Sequence, residues 1–320
     1  MKFETVALRG MRSRCSGKLR ILLQAAVLVI AAVVGGLAQE GLQPRRPNQP
    51  VPTNPFRILG NIYYVGQTDN SKPGSDDAAY LITTPEGHIL LNTALARHVE
   101  QIPANIRKLG LRLEDIKFLI HSHSHADHVG GDALMKEAIP GLKVFAMAGD
   151  FPVMASGGKT DFDPHRRSPG FTPVQADRIL KDGEKVPLGG TTLTAHLTPG
   201  HTEGCTTWTM VVEDGGRKYN AVFLCSAGYH PGVALATELY PNMVADFLKT
   251  FRVLKSLEVD VFLPAHGASG RLVEKAKLLE QGTKPNPFID PAGYKAAVDQ
   301  MEKAFLAEMK KQGVARPPGF

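Results

Sequence analysis

Apolar and polar residues follow the pattern of a mixed α/β protein, with short strands between amphipathic helices. Strands are predicted at residues 58–65, 78–83, 88–92, 117–120, 143–146, 191–197, 206–212 and 219–224. Helices are predicted at residues 96–109, 133–137, 242–257, 272–280 and 291–311, with a short helix after residue 149. The pattern contains no internal repeat and no second apolar core, so we expect one large domain over residues 57–320.

The N-terminal residues have the composition of an export signal. Six Lys or Arg residues within the first 20 positions precede an apolar run at 21–34, and Gly36-Leu37-Ala38 follows it. This order is typical of a secretory signal peptide. The run is shorter than the roughly 20 apolar residues of a membrane-spanning helix, although an uncleaved anchor is the alternative. We predict a signal peptide at 1–38, a periplasmic mature protein, and an extended Pro-rich linker at 39–56.

The export signal also accounts for the basic charge of the chain. The full sequence has a net charge of +6, but residues 1–38 contain six basic and one acidic side chains, so that +1 remains for the rest. Nothing in that balance favours a polyanionic partner. We therefore expect no nucleic-acid binding and, after cleavage of the signal, no stable membrane insertion.

The candidate chemistry is concentrated in the segment His123-Ser124-His125-Ala126-Asp127-His128. Neutral imidazoles and a carboxylate are ligands that suit zinc. His123 and His125 are two apart on an extended backbone and would point the same way. Asp127 and His128 diverge, so they would more naturally bind a second metal. The alternative is a solvated metal-scavenging tract, but an apolar strand before the segment and a helix after it favour a built site.

Two further histidines follow predicted strands. His201 lies in Thr198-Pro199-Gly200-His201-Thr202, where Pro-Gly ends a strand. His266 follows the apolar run Val261-Phe262-Leu263-Pro264. A single histidine after a strand is usually structural. Two of them, in a chain that already contains the cluster, favour additional metal ligands.

The motifs HSHADH, TPGHT and LPAHG occur in this order and together resemble the metallo-β-lactamase superfamily. The resemblance implies a four-layer αβ/βα sandwich, with two mixed β-sheets and the helices outside. Glyoxalase II enzymes, lactonases and nucleases of this superfamily have a metal-bridging Asp at the end of the strand after TPGHT. Here that strand, residues 219–226, contains no Asp or Glu. The chain is therefore most similar to subclass B3 of the metallo-β-lactamases.

This resemblance implies a cofactor of two zinc ions per chain. Six residues would bind them in two sets: His123, His125 and His201, and Asp127, His128 and His266. The implied activity is hydrolysis of the β-lactam amide of penicillins, cephalosporins or carbapenems by a di-zinc-bound hydroxide, which gives antibiotic resistance. Asp127 would orient that hydroxide as the catalytic residue. The partner would be a small-molecule β-lactam, and we expect a monomer.

Two other functions are kept as alternatives. Another hydrolase of the same fold would act on a thioester, lactone or phosphodiester, although the missing bridging Asp speaks against it. A secreted zinc-binding protein without catalysis would bind zinc through the same residues but would turn over no amide.

The resemblance also suggests residues around the metals. Ser226 is a candidate for binding the substrate carboxylate, and Phe162, in the long Gly- and Pro-rich loop 157–173, a candidate for apolar substrate contact. His121 is predicted to support the metal ligands from outside the ligand set. Asn92 occupies a position where the superfamily often has an Asp, so it is predicted to lie behind a ligand and to soften the electrostatics there.

The cysteines that follow the signal are Cys205 and Cys225. They would lie on neighbouring strands and could form a disulfide in an oxidising compartment, but without other bridges we do not expect them to pair. Cys225 is an alternative metal ligand. Because adjacent strand residues face opposite sides, the resemblance favours Ser226 as the residue that faces the cleft and leaves Cys225 packed in the core.

Overall fold

The computed structural model describes residues 54–67, 78–167 and 170–320. Within these residues, twelve strands form two mixed sheets. The seven-stranded sheet has the order β1 to β7, with the strands Phe56–Leu59, Ile62–Tyr64, Tyr80–Thr84, Gly87–Leu91, Ile116–Ile120, Lys143–Met147 and Arg178–Leu180. Strands β1 to β4 pair antiparallel, and β4 to β7 pair parallel.

The second sheet has five strands in the order β12-β11-β10-β9-β8. In chain order these strands are Lys185–Leu188, Thr191–Leu197, Thr206–Asp214, Arg217–Leu224 and Val261–Pro264. Strands β8 to β11 are antiparallel neighbours, and β11 and β12 are parallel.

The α-helices α1 to α7 span Gln101–Lys108, Ala126–Val129, Asp132–Ala138, Phe151–Ser156, Met243–Ser256, Leu272–Glu280 and Pro291–Lys311. Short 3-10 helices occur at Ala96–His98, Leu113–Asp115, Pro164–Arg166 and Gly267–Gly270. Helix α7 begins where the Asp290 side chain accepts a hydrogen bond from the backbone N–H of Gly293, the usual role of an N-terminal capping residue.

Three apolar cores lie between the sheets and helices and hold them together. Side chains of both sheets interdigitate in a central core, where the rings of Tyr80 in β3 and Phe223 in β11 lie 5.4 Å apart. A second core packs α1 and α3 against the outer face of the seven-stranded sheet. A third packs α5 and α7 against the five-stranded sheet, with the rings of Phe247 and Phe305 4.4 Å apart. The predicted αβ/βα sandwich of two mixed sheets with helices outside is therefore confirmed.

The structure differs from the predicted elements at three places. The strand predicted at 58–65 is a hairpin of β1 and β2, because the chain turns at Gly60 with φ +53°, and a Cβ there would lie 2.4 Å from Val212. The helix predicted at 96–109 is split into a 3-10 turn and α1. Strands β7 and β8, which hold only three and four residues, were not predicted.

The predicted signal peptide and most of the predicted linker lie outside the described residues, so both stay predictions. Among the residues that the structure describes, none of the helices is long and apolar enough to span a membrane.

Candidate metal centre

Loops at three strand ends bring the predicted metal ligands together. The HSHADH segment follows β5 and enters α2 at Ala126. His201 lies in the turn between β9 and β10, and His266 directly follows β12. Each loop thus presents its histidines where a strand has just ended.

His123, His125 and His201 form the first group. Each offers one ring nitrogen, and these three atoms lie within 4.8 Å of one another. All three side chains are buried. Nδ1 of His201 donates to the carbonyl of Gly228 at 2.7 Å, which leaves Nε2 of this ring for a metal. A backbone carbonyl on the second nitrogen is the usual way in which proteins orient a metal-binding histidine.

His123, His128 and His266 form a second group within the same 4.8 Å limit. Nε2 of His128 and Nε2 of His266 are 3.3 Å apart. Two nitrogens bound to one tetrahedral zinc at 2.0–2.1 Å would also be about 3.3 Å apart. Oδ2 of Asp127 lies 3.5 Å from His128 Nε2 and 3.8 Å from His266 Nε2. The structure therefore gathers the six predicted ligands around two adjoining positions, with His123 in reach of both.

Buried polar atoms without hydrogen-bond partners show that these residues suit a metal. Such atoms in the cluster are His123 Nε2, both ring nitrogens of His125, His201 Nε2 and His266 Nδ1. Burying a polar atom without a partner is costly, and nearly all buried polar groups in proteins are satisfied. Imidazole nitrogens with one carboxylate are donors that zinc prefers. The residues present therefore fit zinc.

The protonation states favour metal binding. Burial, with smaller contributions from the neighbouring rings, lowers the pKa of His123, His125 and His201 well below the usual value. Burial lowers the pKa of His128 to about 3, although the Asp127 carboxylate opposes this. Burial would raise the pKa of Asp127, but His128 and His266 outweigh it, and the net shift is downward. These four imidazoles are therefore neutral and the Asp127 carboxylate ionised at neutral pH, which are the metal-binding forms.

Asp150, at the start of α4, joins two of the ligand loops. Its Oδ2 accepts hydrogen bonds from the backbone N–H of Ser124 at 2.8 Å and the hydroxyl of Thr202 at 3.1 Å, and its Oδ1 accepts from the N–H of Gly204 at 2.9 Å. Burial raises the pKa of Asp150 to about 6 in spite of these donors. The carboxylate fixes the His123–His125 segment relative to the His201 turn.

Asn92 contacts the cluster directly. Its Oδ1 accepts from the backbone N–H of Ser122 at 2.9 Å, and its Nδ2 donates to the carbonyl of Ala78 at 3.2 Å. These two backbone groups define which way the amide points. Nδ2 therefore faces Nδ1 of His128 at 3.1 Å. A donor, rather than the carboxylate of many relatives in the superfamily, stands behind this histidine.

His121 contacts the ligand loop through other side chains. Its Nδ1 lies 3.2 Å from the carbonyl of Phe145, and its Nε2 lies 2.9 Å from Oδ2 of Asp132. Oδ1 of Asp132 accepts from the hydroxyl of Thr93 at 2.7 Å, which also lies 3.2 Å from the carbonyl of His128. The structure thus connects His121 to the ligand loop through two intervening side chains.

The two predicted substrate contacts occupy different places. Ser226 accepts a hydrogen bond from the N–H of Gly228 at 3.4 Å. Phe162 packs edge-on against Tyr240, with ring centroids 5.1 Å apart, and belongs to the core beneath α5. Neither residue lines the cavity beside the metal ligands, whereas Phe171 from the same long loop does.

The expectation that Cys205 and Cys225 do not pair is wrong. Cys205 precedes β10 and Cys225 follows β11, and the antiparallel ladder of these strands brings the two residues close together, with Cα atoms 6.0 Å apart. The structure joins them in a disulfide. Sγ of Cys225 lies 3.8 Å from Nδ1 of His123, on the side of the ring away from Nε2. A disulfide sulfur is not a thiolate, so Cys225 is not available as a zinc ligand.

A cavity of about 460 Å³ opens beside the ligands. His125 and Asp127 contribute to its lining, together with Asp161, Arg166 and Phe171 from the long loop 157–173. Oδ2 of Asp161 lies 3.5 Å from Nε2 of His125. The cavity is large enough for a small molecule in contact with the metal ligands.

Sequence analysis did not single out Asp161, Arg166 or His230. His230 follows β11 as His201 follows β9 and His266 follows β12, so its place after a strand was a usable signal. Its ring lies 4.2 Å from the ring of His201 and 5.0 Å from that of His125. Asp161 and Arg166 lie in a loop without periodicity, and only the folded loop shows what they contact.

Comparisons with known proteins agree with this geometry. The model of the metallo-β-lactamase superfamily matches residues 77–266. The native FEZ-1 metallo-β-lactamase from Legionella gormanii is 44% identical, with 83% of this chain and 99% of that chain covered and a TM-score of 0.78. BJP-1, a subclass B3 metallo-β-lactamase of Bradyrhizobium japonicum, is 35% identical, with 82% and 96% covered and a TM-score of 0.75. The chain belongs to the metallo-β-lactamase superfamily, and its structural neighbours are subclass B3 enzymes, as the motifs predicted.

Matches to curated sequences are shorter and more varied. The human mitochondrial persulfide dioxygenase ETHE1 is 28% identical over 107 residues, which is 33% of this chain and 32% of that protein. The match thus spans about a third of the length of such relatives. The named relatives catalyse different reactions, so membership of the superfamily does not identify the substrate of this chain.

Proposed function

We propose that this protein is a di-zinc β-lactamase that hydrolyses penicillins, cephalosporins or carbapenems. The observation that carries the proposal is the pair of adjoining ligand groups, built from five histidines and Asp127, without a carboxylate from the end of β11. The similarity to subclass B3 enzymes over more than four-fifths of the chain supports it.

Zinc bound in these groups would lower the pKa of a water molecule to about 7 and would polarise the carbonyl oxygen of an amide. The protein positions the side chains that surround the bound zinc. Asp127 is ionised at neutral pH, borders the cavity and lies close to the second group. It can therefore accept a proton from attacking water at Oδ2 and carry it towards the ring nitrogen of the departing amine.

The fixed ligand loops serve the same chemistry. Asp150 ties together the segments that hold His125 and His201, and Gly228 holds the ring of the latter. The nucleophile and the carbonyl must meet in one orientation, and rigid supports keep that geometry between turnovers. The cavity admits the lactam from the side of the long loop.

Another hydrolase of this fold is the second candidate, since the curated relatives include a hydroxyacylglutathione hydrolase that is 34% identical over 97 residues. Cys225 and Ser226 follow β11 where a bridging carboxylate would stand, which favours the lactamase. A non-catalytic zinc-binding protein, predicted to be secreted, would need neither the cavity nor an ionised carboxylate on its wall.

A substrate panel tests the proposal. Zinc-loaded mature protein is assayed with a penicillin, a cephalosporin, a carbapenem, a glutathione thioester, a lactone and a phosphodiester, beside Asp127→Asn and the surface control Asp299→Asn. We expect turnover of at least one lactam class, lost in Asp127→Asn and kept in Asp299→Asn. Hydrolysis restricted to the thioester, lactone or phosphodiester would overturn the proposal, as would zinc binding without turnover of any substrate.

A further inference from the structure

Arg166 places a guanidinium group on the wall of the cavity, facing the metal ligands. It belongs to a 3-10 turn whose first residues are fixed by Asp163, which accepts from the N–H of His165 at 3.0 Å. Nε of Arg166 lies 3.6 Å from the Asp163 carboxylate, a loose contact, and about a third of the side chain is exposed. The cavity lining includes Arg166 together with His125 and Asp127.

His230 holds the far end of this side chain. Nε2 of His230 lies 3.2 Å from the carbonyl of His201, and since a carbonyl only accepts, Nε2 must donate. Nδ1 of the neutral ring is then the acceptor, and Nη2 of Arg166 donates to it at 3.0 Å. Because a guanidinium N–H can only donate, Nδ1 carries no proton and the ring is neutral. Through His230, hydrogen bonds hold the guanidinium against the loop that carries His201.

A fixed cation beside a zinc-binding centre would favour an anionic ligand in the cavity between them. Arg166 lines the same cavity as His125 and Asp127, and its partner His230 has its ring 4.2 Å from the ring of His201. Two zinc ions would add further positive charge. Like charges at such range repel, more strongly where water is scarce. Asp163 and Asp161 offset part of this positive charge, and an anionic group of the ligand in the cavity would offset more of it.

We infer that Arg166 binds the carboxylate of the lactam substrate, an inference that rests on the proposed function. One N–H of Nη2 is used by His230 and Nε faces Asp163, so both N–H groups of Nη1 are left for the cavity within the described part of the chain. A guanidinium–carboxylate contact is among the stronger hydrogen bonds that proteins make. Ser226, the candidate from sequence, lies off the cavity and is already bonded to the N–H of Gly228.

The test compares benzylpenicillin with its methyl ester, which lacks the anionic charge. The variants are Arg166→Met, Arg166→Lys and, as a matched loss of an exposed arginine elsewhere, Arg112→Met. For Arg166→Met we expect kcat/KM on benzylpenicillin to fall about 10- to 100-fold, the range of one charged hydrogen bond, mainly through KM. Hydrolysis of the ester should change less than about twofold. Arg166→Lys should recover part of the loss, since lysine keeps the positive charge but cannot make the two parallel hydrogen bonds of a guanidinium.

The ester separates substrate binding from a structural role. If acid and ester lose activity equally, or if Arg166→Met leaves KM for benzylpenicillin unchanged, the inference is overturned. Binding of benzylpenicillin to zinc-stripped protein, followed by saturation-transfer NMR, gives a readout without turnover, and Arg166→Met should weaken it. Equal binding by wild type and variant would contradict the inference. Failure of the wild type to hydrolyse any lactam would instead overturn the proposed function.

Discussion

The carboxylate of Asp161 lies 3.5 Å from Nε2 of His125, and both side chains are almost completely buried. This places the acid behind one nitrogen of the ring and leaves Nδ1 for the first metal group. Burial raises the pKa of Asp161 to about 6, against a hydrogen bond from the N–H of Asp163. The long loop that borders the cavity therefore also supports the metal centre.

Replacing Asp161 with Asn should weaken zinc binding at the first group. The amide oxygen can still accept from the imidazole N–H, but without the negative charge that strengthens the bond. Loss of a supporting carboxylate typically costs about 10–100-fold in metal affinity. Competition with a chromophoric chelator measures the change. Asp299→Asn, an exposed carboxylate far from the cluster, is the control, and equal zinc affinity in the two variants would contradict this role.

Replacing Asn92 with Asp should strengthen zinc binding at the second group. In the wild type, the amide donates towards Nδ1 of His128, so the ring proton is held on Nε2, where the metal must bind. A carboxylate would accept from Nδ1 instead and free Nε2, so we expect zinc affinity there to rise about tenfold. The metal-free variant should be less stable, because the new carboxylate oxygen faces the carbonyl of Ala78. Calorimetric zinc titration and denaturant unfolding check both effects, and unchanged zinc affinity would refute the tautomer argument.

The Cys205–Cys225 disulfide should contribute to stability without taking part in zinc binding. The two cysteines are 20 residues apart, and closing a loop of that size stabilises a protein by about 3 kcal/mol in the chain-entropy model. We expect Cys205→Ala with Cys225→Ala to unfold at lower denaturant while still binding two zinc ions. Neither cysteine should react with an alkylating agent before reduction, with or without zinc. Alkylation that depends on zinc removal alone would show a thiolate ligand.

Asp177 provides a pH-dependent contact between α3, β6 and β7. Burial is the largest single effect and would raise the pKa of Asp177, but hydrogen bonds from Lys136, Val144 N–H and Lys143 together lower it to about 2. A carboxylate with a depressed pKa stabilises the fold above its unfolded pKa of about 3.9 and loses that contribution as pH falls towards 2. Asp177→Asn should therefore cost roughly 1 kcal/mol at pH 7 and at pH 5, and less at pH 3. A difference in the free energy of unfolding between variant and wild type that is the same at all three pH values would contradict this.

The sequence predicted the fold well where periodicity was long and the ends were marked. Helices α6 and α7 have the predicted bounds, and β9 matches residue for residue. The failures come from short elements, such as β7 with three residues, where too few positions exist to show a period. The hairpin was missed although Gly60-Asn61 is a typical two-residue turn, because apolar residues flank this turn closely on both sides.

The candidate ligands were accessible to sequence reasoning because each follows a strand or lies in the dense HSHADH motif. Their surroundings were not. Asp150, Asp161 and Arg166 act through contacts that span loops, and no local pattern encodes such contacts. The disulfide depended on the register of β10 and β11, which the strand pattern alone did not define.

Carbapenem hydrolysis by the mature protein during zinc removal and return tests the central claim most directly. The protein is stripped with a chelator, dialysed, and titrated with zinc while bound metal and the rate of ring opening are measured together. The account predicts no hydrolysis without zinc, and recovery as two equivalents bind, with penicillin and cephalosporin assayed in parallel. Hydrolysis that persists without metal, or a protein that binds two zinc ions and leaves all three lactam classes intact, would contradict it.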